Sequence, residues 1–315
     1  SVLMAQLLGL RFDRHFAGHD VVHCTEHLLL PLRQVPTVLT VHDIVYLSHP
    51  EWHLPMNRWF LTLAMPIFAR RANAIIAVSD YTRREVVARL RVDPAKVHVI
   101  HEGVDAHFAP VRDPGRLAQV CARYGLQVPF ILTVGAIEPR KNLPLLMRAF
   151  AALCREPDFQ HQLVIAGGRG WLYDEVFATA AQLGLGHRLL FTGRVPEEDL
   201  PALYSAADIF ALPSFFEGFG LPPLEAMACG TPVITSNSTS LPEVVGEAGL
   251  TASPYDEGAW VEALSRLAGD RTLHDRLAAE GLQRARRFTW QETARRTVEV
   301  YREVGRRASN AKRQA

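Results

Sequence analysis

Short apolar runs rich in β-branched residues alternate along this chain with helical stretches, and the alternation runs through twice. Residues 20–23, 36–41, 74–78 and 96–100 read as a first set of strands. Residues 130–134, 162–166, 189–192, 209–212 and 232–235 read as a second. Strands apolar on both faces and separated by helices belong in parallel sheets covered on both sides. Between the two sets, Gly103-Val104-Asp105, Pro110 and Asp113-Pro114-Gly115 break the pattern. The expected fold is α/β, with two doubly wound Rossmann-like domains whose strand carboxyl ends face a cleft. The expected divisions are 1–106, 107–288, and 289–315 for a last helix and basic tail that packs back toward the first domain.

Helices are expected at 80–90 behind the N-cap Ser79, then at 143–153, 172–183, 197–206 and 222–229. Further helices are expected at 260–268, 272–286 and 289–307. Ser240 and Glu243, with Pro242 inside the first turn, have the spacing of a capping box.

The length of 315 residues suits two domains at roughly 100–200 residues each. Lys and Arg number 34 against 33 Asp and Glu, so no overall field favours nucleic acid as a partner. Cys24, Cys121, Cys154 and Cys229 form no C-x-x-C pair, which argues against a disulfide framework and suits a reducing, cytoplasmic setting. No apolar run reaches the roughly 18 residues of a membrane span. Residues 2–10 lack the basic start and small-residue cleavage site of a signal peptide. The chain opens in what reads as the middle of a helix, with no strand before it.

Three post-strand loops carry chemistry. Phe215 to Gly230 runs from a strand end through Glu217-Gly218-Phe219-Gly220 and Pro222-Pro223 into a helix that bears Glu225. The glycines allow close backbone approach, and two carboxylates at such a loop can accept hydrogen bonds from vicinal hydroxyls of a sugar or ribose. The alternative is a Gly/Pro-rich turn in which Glu225 only complements the helix dipole. The second loop, Val134 to Asn142, sets Arg140 and Lys141 beside a helix start, where a diphosphate could bind. A solvated pair of cations is the other reading. The third places His42-Asp43 just past a strand, where His42 could meet a sugar hydroxyl, shuttle a proton or serve only structure.

No Asp-x-Asp occurs, so a metal-held diphosphate has no obvious ligands and no metal is expected. His23 and His27 have i, i+4 spacing but lie in a post-strand loop without HExxH order. Neither G-x-G-x-x-G after a strand nor a P-loop is present, and Gly167-Gly168-Arg169-Gly170 reads as a further turn. Residues 59–68 are mostly apolar and flanked by Arg58, Arg70 and Arg71. Residues 284–315 hold ten Lys/Arg against three Glu, an excess of seven. These features suit either contact with an anionic membrane or a core helix with a solvated tail.

Taken together, Glu217…Glu225, Glu138-Pro139-Arg140-Lys141-Asn142, Gly193-Arg194-Val195 and His42-Asp43 resemble the retaining glycosyltransferases of family 4, which have the GT-B architecture. The stretch from His42-Asp43-Ile44 to His49-Pro50-Glu51-Trp52 is similar to a bacterial, mannosyltransferase-like branch. The resemblance implies transfer of a hexose, mannose-like, from a GDP- or UDP-linked sugar to a glycan or lipid-linked acceptor, with no cofactor. It implies that Lys141 with Arg140 holds the diphosphate, Glu225 the ribose and Glu217 a sugar hydroxyl, O3. Backbone N–H groups of Gly218, Phe219 and Gly220 would hold sugar or phosphate, Arg194-Val195 would face the base, and His42 would reach the transferred sugar. Two departures stand out: Ala136 occupies a position where many relatives carry Arg, and part of the first, acceptor-side domain is absent ahead of Ser1. A non-catalytic or truncated sugar-nucleotide-binding protein is therefore the alternative, as is a second chain or self-association that completes the first sheet.

Overall fold

The computed structural model describes residues 12–314, so residues 2–10, weighed above as a leader, lie outside the described residues. Two compact units emerge. One runs to Gly103 and resumes at Trp290, and the other is Val104–Thr289.

The first unit holds a parallel sheet of β1 (Val22–Cys24), β2 (Thr37–Val41), β3 (Ala74–Ala77) and β4 (Val97–Val99), in that order. Side chains alternate across a strand, and β2 shows the result. Leu39 and Val41 join Met65 and Phe68 of the helix Pro55–Arg71 and Val86 of the helix Asp80–Leu90. Val38 turns the other way, with Ala74 and Ile76, onto Val300 and Val304 of the helix Trp290–Gln314. The His23 ring links Tyr301 Oη (2.6 Å) to Thr40 Oγ1 (2.7 Å) across that face. Ser79 caps its helix by accepting the Thr82 N–H at 3.0 Å.

The second unit is a six-stranded parallel sheet. Its strands are β5 (Phe130–Val134), β6 (Gln162–Ala166), β7 (Leu189–Gly193), β8 (Ile209–Leu212), β9 (Val233–Ser236) and β10 (Leu250–Ala252). The order is β10-β9-β8-β5-β6-β7. From β5 the chain winds outward through β6 and β7, then returns to place β8 on the opposite flank of β5. The connections after β5 and β8 therefore diverge, which makes their carboxyl ends the switch point of the sheet, where ligands bind in folds of this kind. Beneath it, Trp260, Phe150, Leu146, Leu163 and Ile234 pack in one buried cluster. Asp199, fully buried, clasps the helix Pro114–Tyr124 through Arg116 (2.7 Å), Arg123 (2.6 Å) and Tyr124 Oη (2.7 Å). A carboxylate out of water needs this degree of pairing.

Candidate active site

The loop after β5 is shaped by a glycine and an asparagine. Gly135 sits at φ +146°, and a Cβ there would lie 3.1 Å from Lys141 Cε, so the lysine stem lies against bare backbone. Gly168 accepts the Ile137 N–H (2.9 Å), and Gly170 donates back to the Ile137 carbonyl (3.0 Å), which joins this loop to the one after β6. Asn142 adopts left-handed geometry (φ 52°), which Asn tolerates. Its amide donates to the Pro213 (3.2 Å) and Pro254 (2.8 Å) carbonyls, so the first loop is tied to the one after β8.

That second loop is anchored by buried Phe216 and Phe219. Gly220 takes φ +123° with Leu241 so near that a Cβ would approach to 2.8 Å. The capping box expected at Ser240 does not form. The Ser240 hydroxyl donates instead to the carbonyls of Glu217 (2.9 Å) and Phe219 (2.6 Å), because the loop offers buried acceptors that must be satisfied. Thr239 Oγ1 accepts the Glu217 N–H at 3.0 Å.

The two loops converge on one charged cluster. The Glu217 carboxylate, 6% exposed, accepts Lys141 Nζ on Oε1 (2.8 Å) and Arg140 Nη1 on Oε2 (2.5 Å). Burial alone would raise its carboxyl, but the charges of Arg140 and Lys141 hold it down at about 2. Arg140 is not turned outward as a solvated cation. Its Nε and Nη2 donate to Glu138 Oε1 (3.0 and 2.6 Å), and Nη1 also donates to the Phe216 carbonyl (2.9 Å). Glu225, on the helix Leu221–Ala228, accepts the hydroxyl of fully buried Tyr204 at 2.7 Å. Burial pushes the Glu225 carboxyl up, against the pull of Tyr204, His107 and Lys141. Lys141 thus interacts with both glutamates of the Glu-x₇-Glu pair.

The other expected residues lie as follows. Gly218 is half-buried, and Phe219 and Gly220 are buried in the same loop. Arg194 is exposed just past β7, with Val195 buried beside it. In the first unit, His42 Nδ1 meets Glu102 Oε1 (3.1 Å) and Nε2 meets the Thr25 carbonyl (3.0 Å). Both partners are acceptors, so both nitrogens carry hydrogen. The hydrogen bond to Glu102 raises the ring to about 9. An imidazolium held this way does not suit the proton-shuttle role considered for it. Among the described residues, no group of three His, Cys, Asp or Glu side chains could hold a metal ion. Sequence reasoning passed over Glu138 as a site residue, as well as Asn142, Tyr204 and Ser240. Glu138 and Asn142 carried a readable signal, since both stand in the stretch from Glu138 to Asn142.

Two parallel α/β units, one with a buried carboxylate–cation cluster at its switch point, suit an enzyme that takes a phosphate-bearing ligand. Residues 125–284 match the family described as Glycosyl transferases group 1, and residues 2–108 match Glycosyltransferase Family 4. The chain is 34% identical over 283 residues to O-antigen chain mannosyltransferase B of Escherichia coli, across 90% of this chain and 74% of that one. It is 33% identical over 293 residues to the serotype-specific mannosyltransferase WbdA of Escherichia coli, across 91% of this chain but 36% of WbdA. Among solved structures, sucrose-phosphate synthase from Thermosynechococcus elongatus superposes with a TM-score of 0.77 at 25% identity, covering 93% of this chain and 76% of that one. The chain belongs to glycosyltransferase family 4 and is a glycosyltransferase with the GT-B fold.

Proposed function

We propose that the chain transfers a mannose-like hexose, with retention and without a metal, from a GDP- or UDP-linked sugar to a glycan or lipid-linked acceptor. The observation that carries this reading is the Lys141–Glu217–Arg140 cluster at the switch point of the second unit. The mannosyltransferase names of the relatives support the sugar. Lys141 binds the diphosphate, Glu217 accepts a sugar hydroxyl, and Glu225 accepts the ribose hydroxyls. Arg194 and Val195 lie against the base, and the backbone of Gly218 to Gly220 lines the sugar and phosphate. The family resemblance assigns His42 a part in holding the transferred sugar. In the reaction the bond from C1 to the diphosphate oxygen breaks. The acceptor oxygen bonds C1 on the same face, and its proton passes to the departing phosphate. Lys141 stabilises the charge that grows on the leaving group.

A thermal-shift panel of GDP, UDP, ADP and dTDP in EDTA tests the donor assignment. One nucleotide at about 100 times its Kd should add about 2.7 kcal/mol of stability. A GDP or UDP response in EDTA, followed by transfer with the anomeric configuration kept, is the expected result. Silence from all four, or nucleotide binding with no transfer to any acceptor, favours the non-catalytic alternative.

The first unit supports a membrane-surface acceptor. On the helix Pro55–Arg71, Met56 is 81%, Trp59 66% and Leu63 46% exposed, beside Arg58. Among the described residues, no helix is long and apolar enough to cross a membrane. The chain is expected to float with vesicles containing anionic lipid and to lose this when Trp59 and Leu63 are changed to Ser. Wild-type protein that stays with the pellet argues for a non-membrane acceptor.

A further inference from the structure

We infer that Glu138 and Arg140 are positioning residues that orient Glu217 toward the donor sugar, while the diphosphate falls to Lys141. The inference rests on the reading of Glu217 as the acceptor of a sugar hydroxyl.

The geometry of the guanidinium is the first ground. Arg140 spends Nε and Nη2 on Glu138 Oε1, and Nη1 on both Glu217 Oε2 and the Phe216 carbonyl. A planar fork gripping two carboxylates and one backbone carbonyl fixes both its own plane and the direction of the Glu217 side chain. Glu138 is 2% exposed, so the far end of the strut is buried protein, not a mobile surface carboxylate. The Arg140 carbonyl also accepts the Phe215 N–H (2.9 Å), so the strut holds the loop after β8 by main chain and side chain together.

Charge is the second ground. Glu138 and Glu217 carry two negative charges and Arg140 and Lys141 two positive ones, so the cluster is neutral before any ligand arrives. Arg140 contacts both carboxylates, so its charge is already matched on two sides. Among the described residues, the Lys141 ammonium hydrogen-bonds one side chain, Glu217, and meets Glu225 by charge alone, which leaves two of its three N–H donors for a phosphate. The two cations and the Ser214 hydroxyl occupy three of the roughly four acceptor positions of the Glu217 carboxylate, so it can still take one hydroxyl. The strut therefore governs the sugar end of the donor and Lys141 the phosphate end.

The test compares two probes: the nucleoside diphosphate that responds in the panel above and its sugar-bearing form. Their Kd values are measured by calorimetry in EDTA, alongside kcat and KM, for wild type, Glu138→Gln, Arg140→Lys and Lys141→Met. Lys141→Met is expected to weaken both probes alike. Glu138→Gln and Arg140→Lys are expected to keep the nucleoside diphosphate Kd within about twofold. They should lose about ten- to a hundredfold of the added affinity for the sugar-bearing form, the size of one hydrogen bond to a charged group, with a matching fall in kcat/KM. Retained diphosphate binding shows that these variants are folded. If Glu138→Gln melts too early to bind anything, Arg140→Lys, which keeps the charge but not the fork, decides the matter. Equal weakening of the bare diphosphate by Arg140→Lys and Lys141→Met makes Arg140 a diphosphate ligand and overturns the inference. An unchanged sugar increment overturns it as well. A wild-type protein that binds neither probe removes the reading of the site itself.

Discussion

Replacing Lys141 with Met is expected to cut kcat by about a thousandfold while the protein remains folded. A unit charge about 4 Å from the charge growing on the leaving phosphate gives about 4 kcal/mol at an effective dielectric near 20. At about 1.36 kcal/mol per decade that is roughly three decades of rate, if the interaction strengthens only as the bond breaks. Met keeps the unbranched stem that lies against Gly135 and opens little space. Glu217 keeps Arg140, so its carboxylate is not stranded. Stability still shifts, and its sign follows from the carboxyl. Glu217 is held at about 2 against its ordinary 4.5, so its ion pairs stabilise the fold above pH 4.5 and lose this as pH falls toward 2. Without Lys141 the folded value moves up toward 4.5. The variant should therefore melt below wild type at neutral pH, with the gap closing under acid. Saturation kinetics and melting curves at pH 7 and pH 3 check both statements. A kcat within threefold of wild type would remove Lys141 from the diphosphate.

Local rules made much of this fold readable because at those positions they agreed with the packing. Phe130 to Val134, Gln162 to Ala166 and Ile209 to Leu212 are apolar on both faces, as central parallel strands must be. Ser79, ahead of Asp80–Leu90, caps its helix by accepting the Thr82 N–H, as its place in the sequence predicts. Ser240 carried the same signature, but tertiary acceptors at Glu217 and Phe219 claimed its hydroxyl, and no local rule registers those. The strand Leu250–Ala252 went unseen because three residues at a sheet edge carry too little pattern. The last helix was visible and was expected to pack back toward the first domain, but Val300 and Val304, which meet Val38, Ala74 and Ile76 there, were not marked.

The site was readable as motifs rather than as a network. Glu217, Lys141 and Glu225 could be marked from their places beside glycines and helix starts. Which carboxylate meets which cation depends on two loops that follow the neighbouring strands β5 and β8, whose residues lie more than seventy positions apart. The solvated alternative for Arg140 stayed open because its partner Glu138, two residues back across Pro139, looks solvated in sequence. The alternatives for His42 stayed open because Glu102 and Thr25 reach it from other strand ends.

Gly167 shows how fold and site are coupled, and Gly167→Ala is expected to be the most damaging single-methyl change near the site. An added Cβ would stand 1.8 Å from the Gly135 carbonyl oxygen and 2.6 Å from its carbon. Both obstacles are backbone, so no rotamer relieves them. Gly135 must move, carrying away the surface on which the Lys141 stem rests. Overpacking of this kind costs typically 1–3 kcal/mol or more. A displacement of about 1 Å in a positioning group can cost about a hundredfold in rate. The neighbouring Gly168 is the control, since nothing lies within 4 Å of its added Cβ. Gly168→Ala should keep the melting temperature and kcat/KM near wild type, while Gly167→Ala lowers the first by several degrees and the second by about a hundredfold. Because the methyl acts on the cation through the loop, diphosphate affinity should fall as well, as it does for Lys141→Met. Two alanine variants that behave alike would mean that the close approach of these backbones has no bearing on the cation.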